Sequence, residues 1–167
     1  MGEVIGLAAS LIALGGVAVT AAKVSIIMVE IANDVKWARD DILMFGYASK
    51  SFASLLKLSR DELHHQFNNP NLSPVVRRIK DSNVMGDLVR QAKLLKERIK
   101  ELTPKIKGLP SSIGIVTTLK WTFQKSRVLA LAPHMKGIET SLNLIMAIVK
   151  LEQVQQVAPS DEALRTM

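Results

Sequence analysis

The chain has 167 residues, 48% hydrophobic, 22% charged and only 4% aromatic, with a mean hydropathy of +0.20. That length points to one domain, and the apolar content excludes a disordered chain, which lacks the burial needed to offset backbone entropy. Zero cysteines exclude disulfides and thiolate metal sites, while a net charge of +7 and a pI near 9.8 select anionic partners, either nucleic acid or an acidic lipid surface.

The charge is unevenly spread. Residues 1–35 are net −2, whereas residues 57–127 hold 15 Lys and Arg against 6 Asp and Glu. The apolar front contains 19 consecutive uncharged residues, Val4 to Ala22. As a helix these span about 28 Å, close to the roughly 30 Å hydrocarbon core of a bilayer. A secretory signal is not expected, because Glu3 stands where a basic region belongs. Position 6 is Gly rather than Ser or Thr, so Gly2 does not open a myristoylation site. The segment is marginal as a span, since three Gly, six Ala, Ser10 and Thr20 dilute its Leu, Ile and Val. Gly6 and Ser10, Ala9 and Ala13, and Gly16 and Thr20 are small pairs at i,i+4, which permit close helix approach in lipid or in a tight bundle. Val4, Leu7, Leu11 and Leu14 form a separate apolar stripe. Two readings stand: a buried core helix of a soluble bundle, or a helix able to serve as core or to enter a membrane.

The remainder predicts helix almost throughout. The first helix runs from about Glu3 to Asn33, loosened at Gly15-Gly16, and Asn33-Asp34 offer a cap for the second. The second continues from Val35 to about Gln66, with apolar residues at 3–4 spacing from Val24 to Leu56 and Ser49 the exception. Asn68 to Pro74 reads as a loop, with Ser73 as N-cap and Pro74 at the first helical position. A third helix follows to Ile106 on the stripe Met85, Leu88, Ala92, Leu95, Ile99, Leu102 and Ile106. Gly108, Pro110, Ser111, Ser112 and Gly114 mark the second loop. A short helix carries Leu119, Trp121 and Phe123. The last helix runs from Ser126 to Gln155 on Val128, Leu131, Met135, Ile138, Leu142, Ile145 and Val149, kinked by Pro133. The expected fold is all-α: a single antiparallel bundle of four to five helices over residues 1–157, with residues 1–33 as the apolar N-terminal helix and 158–167 as a frayed tail.

Residues 90–107 carry seven basic side chains against Glu97 and Glu101. Lys93, Lys96, Lys100 and Lys107 are placed on one face opposite the core stripe, and Glu101 can pair with Lys105 at i,i+4. This is either a solvated face or an anionic-lipid contact, each cation near the surface contributing about 1 kcal/mol. Nucleic acid is disfavoured, since no aromatics interleave with the cations. Catalytic patterns are missing: the loop GLPSSIG lacks GK[ST], and Ser111 and Ser112 have no visible base. Asp61 and His65 lack a third metal ligand, and His134 reads as structural. Neither an enzyme nor any cofactor or metal is expected.

Three stretches, MGEVIGLAASLIAL, LKWTFQKSRV (119–128) and SLNLIMAIV (141–149), resemble the fungal N-terminal domains called HeLo-like. The layout is similar over the whole chain. The resemblance implies an execution domain of regulated cell death in fungal incompatibility and innate immunity. It is distantly similar to the four-helix bundle of mixed-lineage-kinase-like pseudokinases, and it oligomerises and permeates the plasma membrane as a toxin. Such domains head receptor-like proteins, which implies an upstream signalling receptor or amyloid-templating partner, cytoplasmic residence at rest and the plasma membrane on activation. On this reading Val4, Ile5, Leu7, Leu11, Ile12, Leu14 and Val17 insert into the membrane, while Gly6, Ser10, Ala13 and Gly16 pack helices in a homo-oligomer. Lys93, Lys96, Lys100 and Lys107 then contact anionic membrane lipid. The alternative is a non-lytic helical adaptor or autoinhibitory oligomerisation module.

Overall fold

The computed structural model describes residues 2–34, 38–70, 72–82, 84–108 and 115–157; the side chains of residues 2–7, 34, 115–120, 156 and 157 lie outside the description. The described residues are all helical or in short connections, without strands. The helices are α1 (Gly2–Asp34), α2 (Arg39–Phe67), α3 (Pro74–Asp81), α4 (Val84–Lys107), α5 (Ile115–Leu129) and α6 (Leu131–Val157). Four are long, α5 has 15 residues and α3 is a two-turn segment of 8. The expected tail at 158–167 and loop residues Pro110, Ser111, Ser112 and Gly114 lie outside the described residues.

Several boundaries differ from the sequence reading, each for a local reason. α1 passes through Gly15 and Gly16 without a break, so the predicted loosening is corrected. Asp34 belongs to α1 rather than capping the next helix. The N-cap of α2 is Ala38, which makes no side-chain cap bond. Asp40 and Asp41 in the first turn of α2 supply negative charge where the helix dipole favours it. Ser73 caps α3 as predicted, its Oγ accepting from the Val76 N–H at 3.1 Å, with Pro74 in the first turn.

The predicted third helix is divided in two. At Ser82 the backbone turns extended (ψ 156°). The Ser82 hydroxyl donates to the Ile79 carbonyl at 2.8 Å and its N–H to the Arg78 carbonyl at 2.9 Å. This is the local competition with helix continuation that short polar side chains offer. The last boundary moves from Ser126 to Ala130, where α5 ends and α6 begins. Pro133 lacks an N–H and its ring crowds the carbonyl four residues back, at Leu129. The chain breaks before it, leaving Pro133 in the first turn of α6, where no donor is required. A break replaces the expected kink.

The apolar stripes form the core. Every member of the two series on α4 and across α5–α6, from Met85 to Ile106 and from Val128 to Val149, is buried. The α1–α2 series is buried from Val24 to Leu56, Ser49 included, with Val35 outside the described residues. α1 packs on α2 and α4, α6 closes against α2 and α4, and α5 touches α4 and α6. Gly46 of α2 lies under Met28, where an added Cβ would come within 3.1 Å of the Met28 Cβ, while Gly15 lies under Arg60. As α2 advances from residue 46 to 60, its neighbours on α1 retreat from 28 to 15.

Candidate functional site

The apolar front is a helix with two unlike faces. Leu11, Leu14, Val17, Ala18, Ala21, Val24, Met28 and Ile31 are buried against α2 and α4. Ile12, Val19 and Ile26 lie seven residues apart on the other side and are 75%, 56% and 59% exposed. Seven residues make almost two helical turns, so the three line up along one edge. The segment Ala8–Asn33, 26 residues, is long and apolar enough to cross a membrane, and only 44% of its most apolar stretch is buried. A helix that served only as core would hide most of that surface.

The predicted insertion residues therefore divide. Leu11, Leu14 and Val17 are core, Ile12 faces solvent, and the side chains of Val4, Ile5 and Leu7 lie outside the described residues. Val19 and Ile26 were missed by the sequence reading. The signal that finds them is their seven-residue register with Ile12, which the uniform hydrophobicity of α1 conceals. Of the small residues, Gly6 lies outside the described side chains, and Ser10, Ala13 and Gly16 are half-buried.

Two cations cross α1 at its paired glycines. A Cβ at Gly15 would come within 2.8 Å of Arg60 Nη1, and one at Gly16 within 3.2 Å of Lys96 Nζ. The atom that approaches Gly16 is thus an ammonium head from α4 rather than a second helix backbone. Arg60 comes from α2 and pairs with Asp61, its Nε donating at 2.9 Å. Together with Ala8, Leu11, Ile12 and His64 these two residues line an open cleft of about 450 Å³ between α1 and α2. Asp61, weighed with His65 as a metal pair, is engaged by Arg60. No group of three metal-ligating side chains occurs among the described residues.

The four predicted lysines of α4 lie along one side of the helix, but they are not equally exposed. Lys93, Lys100 and Lys107 are exposed, but Lys96 is half-buried on the flank and leans over α1. The placement opposite the core stripe is corrected for all four: each directly follows a buried residue, Ala92, Leu95, Ile99 or Ile106, so they sit only about 100° from it, on one flank of the helix. The pairs that form on this helix are Lys100 with Glu97, at 2.9 Å, and Arg90 with Asp87, at 3.7 Å, rather than Glu101 with Lys105. Lys96 and Gly16, predicted for separate roles on separate helices, are brought together.

On the far side of α4 the Arg98 guanidinium lies 2.7 Å from His134 Nε2. A guanidinium only donates, so the ring nitrogen is the acceptor in this contact. Ser49 Oγ, Trp121 Nε1 and Gln124 Oε1 are buried without a hydrogen-bond partner among the described residues. Compared with known protein families, with curated proteins and with solved structures, the chain matches none.

Proposed function

We propose that the chain is a membrane-targeting execution domain of regulated cell death, a single antiparallel helical bundle that permeates membrane through its N-terminal helix. The observation that carries this reading is α1: it has span length, yet it is only partly buried and presents Ile12, Val19 and Ile26 along one edge, with Arg60 and Lys96 reaching it at Gly15 and Gly16. An apolar strip on a helix that cations reach suits the boundary between acyl chains and anionic headgroups. The likeness of the three quoted stretches to HeLo-like domains supports the same role.

In the resting, cytoplasmic state α1 completes the core with Leu11, Leu14 and Val17. Contact with the inner face of the plasma membrane begins at the exposed strip, with the lysines of α4 adding attraction to anionic lipid. Oligomerisation then releases α1 into the bilayer, exchanging contacts with α2 and α4 for lipid and for neighbouring copies. A leakage assay on dye-filled vesicles tests this. The full chain should empty phosphatidylserine-containing vesicles and spare neutral ones. The triple variant Ile12→Gln, Val19→Gln, Ile26→Gln, altered only at exposed positions, should keep its circular dichroism spectrum and lose leakage. Equal leakage by both proteins refutes the reading.

A second reading is a non-lytic adaptor, favoured by Leu144 and Leu151, seven residues apart on α6, and by Val154 one turn on, all exposed. Such a strip fits a partner helix. An adaptor of this kind oligomerises through α6 and leaves vesicles intact.

A further inference from the structure

The side of α4 turned away from α1 holds a second feature, independent of the membrane reading. Arg98, Leu102 and Lys105 follow one another at four and three residues, so they share the side of α4 that meets the α5–α6 junction. Arg127, in the last turn of α5, faces them across the break at Ala130. The result is an open cleft of about 410 Å³ lined by Arg98, Glu101, Leu102, Lys105, Arg127 and the start of α6. That volume falls in the range of small-molecule sites.

Its chemistry is one-sided. The floor is apolar, with Leu102 and Leu131 buried. The rim carries three cations and one carboxylate, and the first turn of α6 adds no acidic residue to offset them. Neither Arg98, Lys105 nor Arg127 forms an ion pair among the described residues. The five pairs that do form are Arg60–Asp61, Arg90–Asp87, Lys100–Glu97, Lys125–Asp41 and Lys136–Glu139. Arg98 instead rests on the His134 ring, a weaker acceptor than an oxyanion. Two guanidinium forks and an ammonium, with a local excess of two positive charges, match a phosphate monoester dianion better than a carboxylate. Each fork can take two phosphate oxygens, and a carboxylate would leave one charge unmatched. Leu102 and Leu131 suit the organic side of the ester.

We propose that this cleft binds a phosphate monoester, held by Arg98, Lys105 and Arg127. The group can arrive as a free organic phosphate or as the headgroup of a lipid such as phosphatidic acid. The test uses the full chain in three arms: titration with glycerol 3-phosphate followed by backbone NMR, binding to phosphatidylcholine vesicles containing phosphatidic acid, and binding to matched vesicles containing phosphatidylserine. Saturable shifts at Arg98, Lys105, Arg127 and Leu131 with glycerol 3-phosphate, without preference between the two vesicles, identify the free ester. A preference for phosphatidic acid over phosphatidylserine at matched charge identifies the lipid source. In either case the double variant Arg98→Gln, Arg127→Gln should weaken binding by about tenfold or more, whereas the charge-matched control Arg77→Gln, Arg78→Gln, at exposed positions on α3, should not. The proposal is overturned if neither ligand produces binding, or if control and double variant lose equally. Binding rather than vesicle leakage is the readout, so this outcome is separate from that of the α1 reading.

Discussion

α1 and α4 pack against each other and share one core, yet they solve burial in opposite ways. α4 is amphipathic in the ordinary sense: its stripe from Met85 to Ile106 is buried, charged residues hold most of the rest, and Val84 and Leu94 alone among its large apolar residues are exposed. α1 is uncharged from Val4 to Ala22, and there only its neighbours decide which face becomes core. Pattern specifies orientation on α4, whereas on α1 packing does. A helix whose orientation is not written into its own pattern can be buried in more than one environment, protein or lipid, without breaking a periodicity.

The sharpest way to break this contrast is to truncate inner and outer residues of each helix. Leu14→Ala and Ile99→Ala, at positions almost wholly buried, should each cost about 2–5 kcal/mol of unfolding free energy in urea titrations. Ile12→Ala and Leu94→Ala, at exposed positions, should stay within about 0.5 kcal/mol. If Ile12 costs as much as Leu14, α1 is not one-sided and the exposed strip is lost with it.

A finer test uses glycine. Gly137 of α6 has open space where a Cβ would stand, nothing lying within 4 Å, so Gly137→Ala should stabilise by about 0.5–1 kcal/mol through helix propensity alone. Gly15→Ala should yield less, because Arg60 Nη1 at 2.8 Å must move aside. Thermal melts of the two variants measure the difference, and equal gains would mean that Arg60 does not rest on α1. The smallest effect belongs to the surface of α4. Lys100→Gln removes the exposed Glu97 pair and should change stability by under about 0.5 kcal/mol; a larger loss in the same melts would mean that charge, rather than its stripe, holds α4 in place.

What the sequence made legible follows the same division. On α4 the 3–4 spacing named every buried residue but Val89, because polar neighbours left the stripe only one way to face, and from Val128 to Val149 the same spacing held through the apolar run 144–149. Ser73 and Pro74 announced the start of α3 through capping chemistry. The break at Ser82 was hidden, since it depends on one hydroxyl winning the Ile79 carbonyl. Pro133 was seen but read as a kink, because its effect depends on whether helix resumes before or after it. On α1 the residues Val19 and Ile26 were concealed by neighbours just as apolar. The pairing of Lys96 with Gly16, like the meeting of Arg98 with Arg127 across a cleft, joins different helices, and no local spacing encodes it.

The paired glycines carry a last consequence. Arg60 and Lys96 rest on bare backbone at Gly15 and Gly16, so both charged heads are parked on the helix that covers the core. Lifting α1 takes away their support and uncovers Leu11 and Leu14 in the same movement. Greasy surface and positive potential are therefore ganged like two contacts on one relay: the protein cannot offer one at this spot while withholding the other.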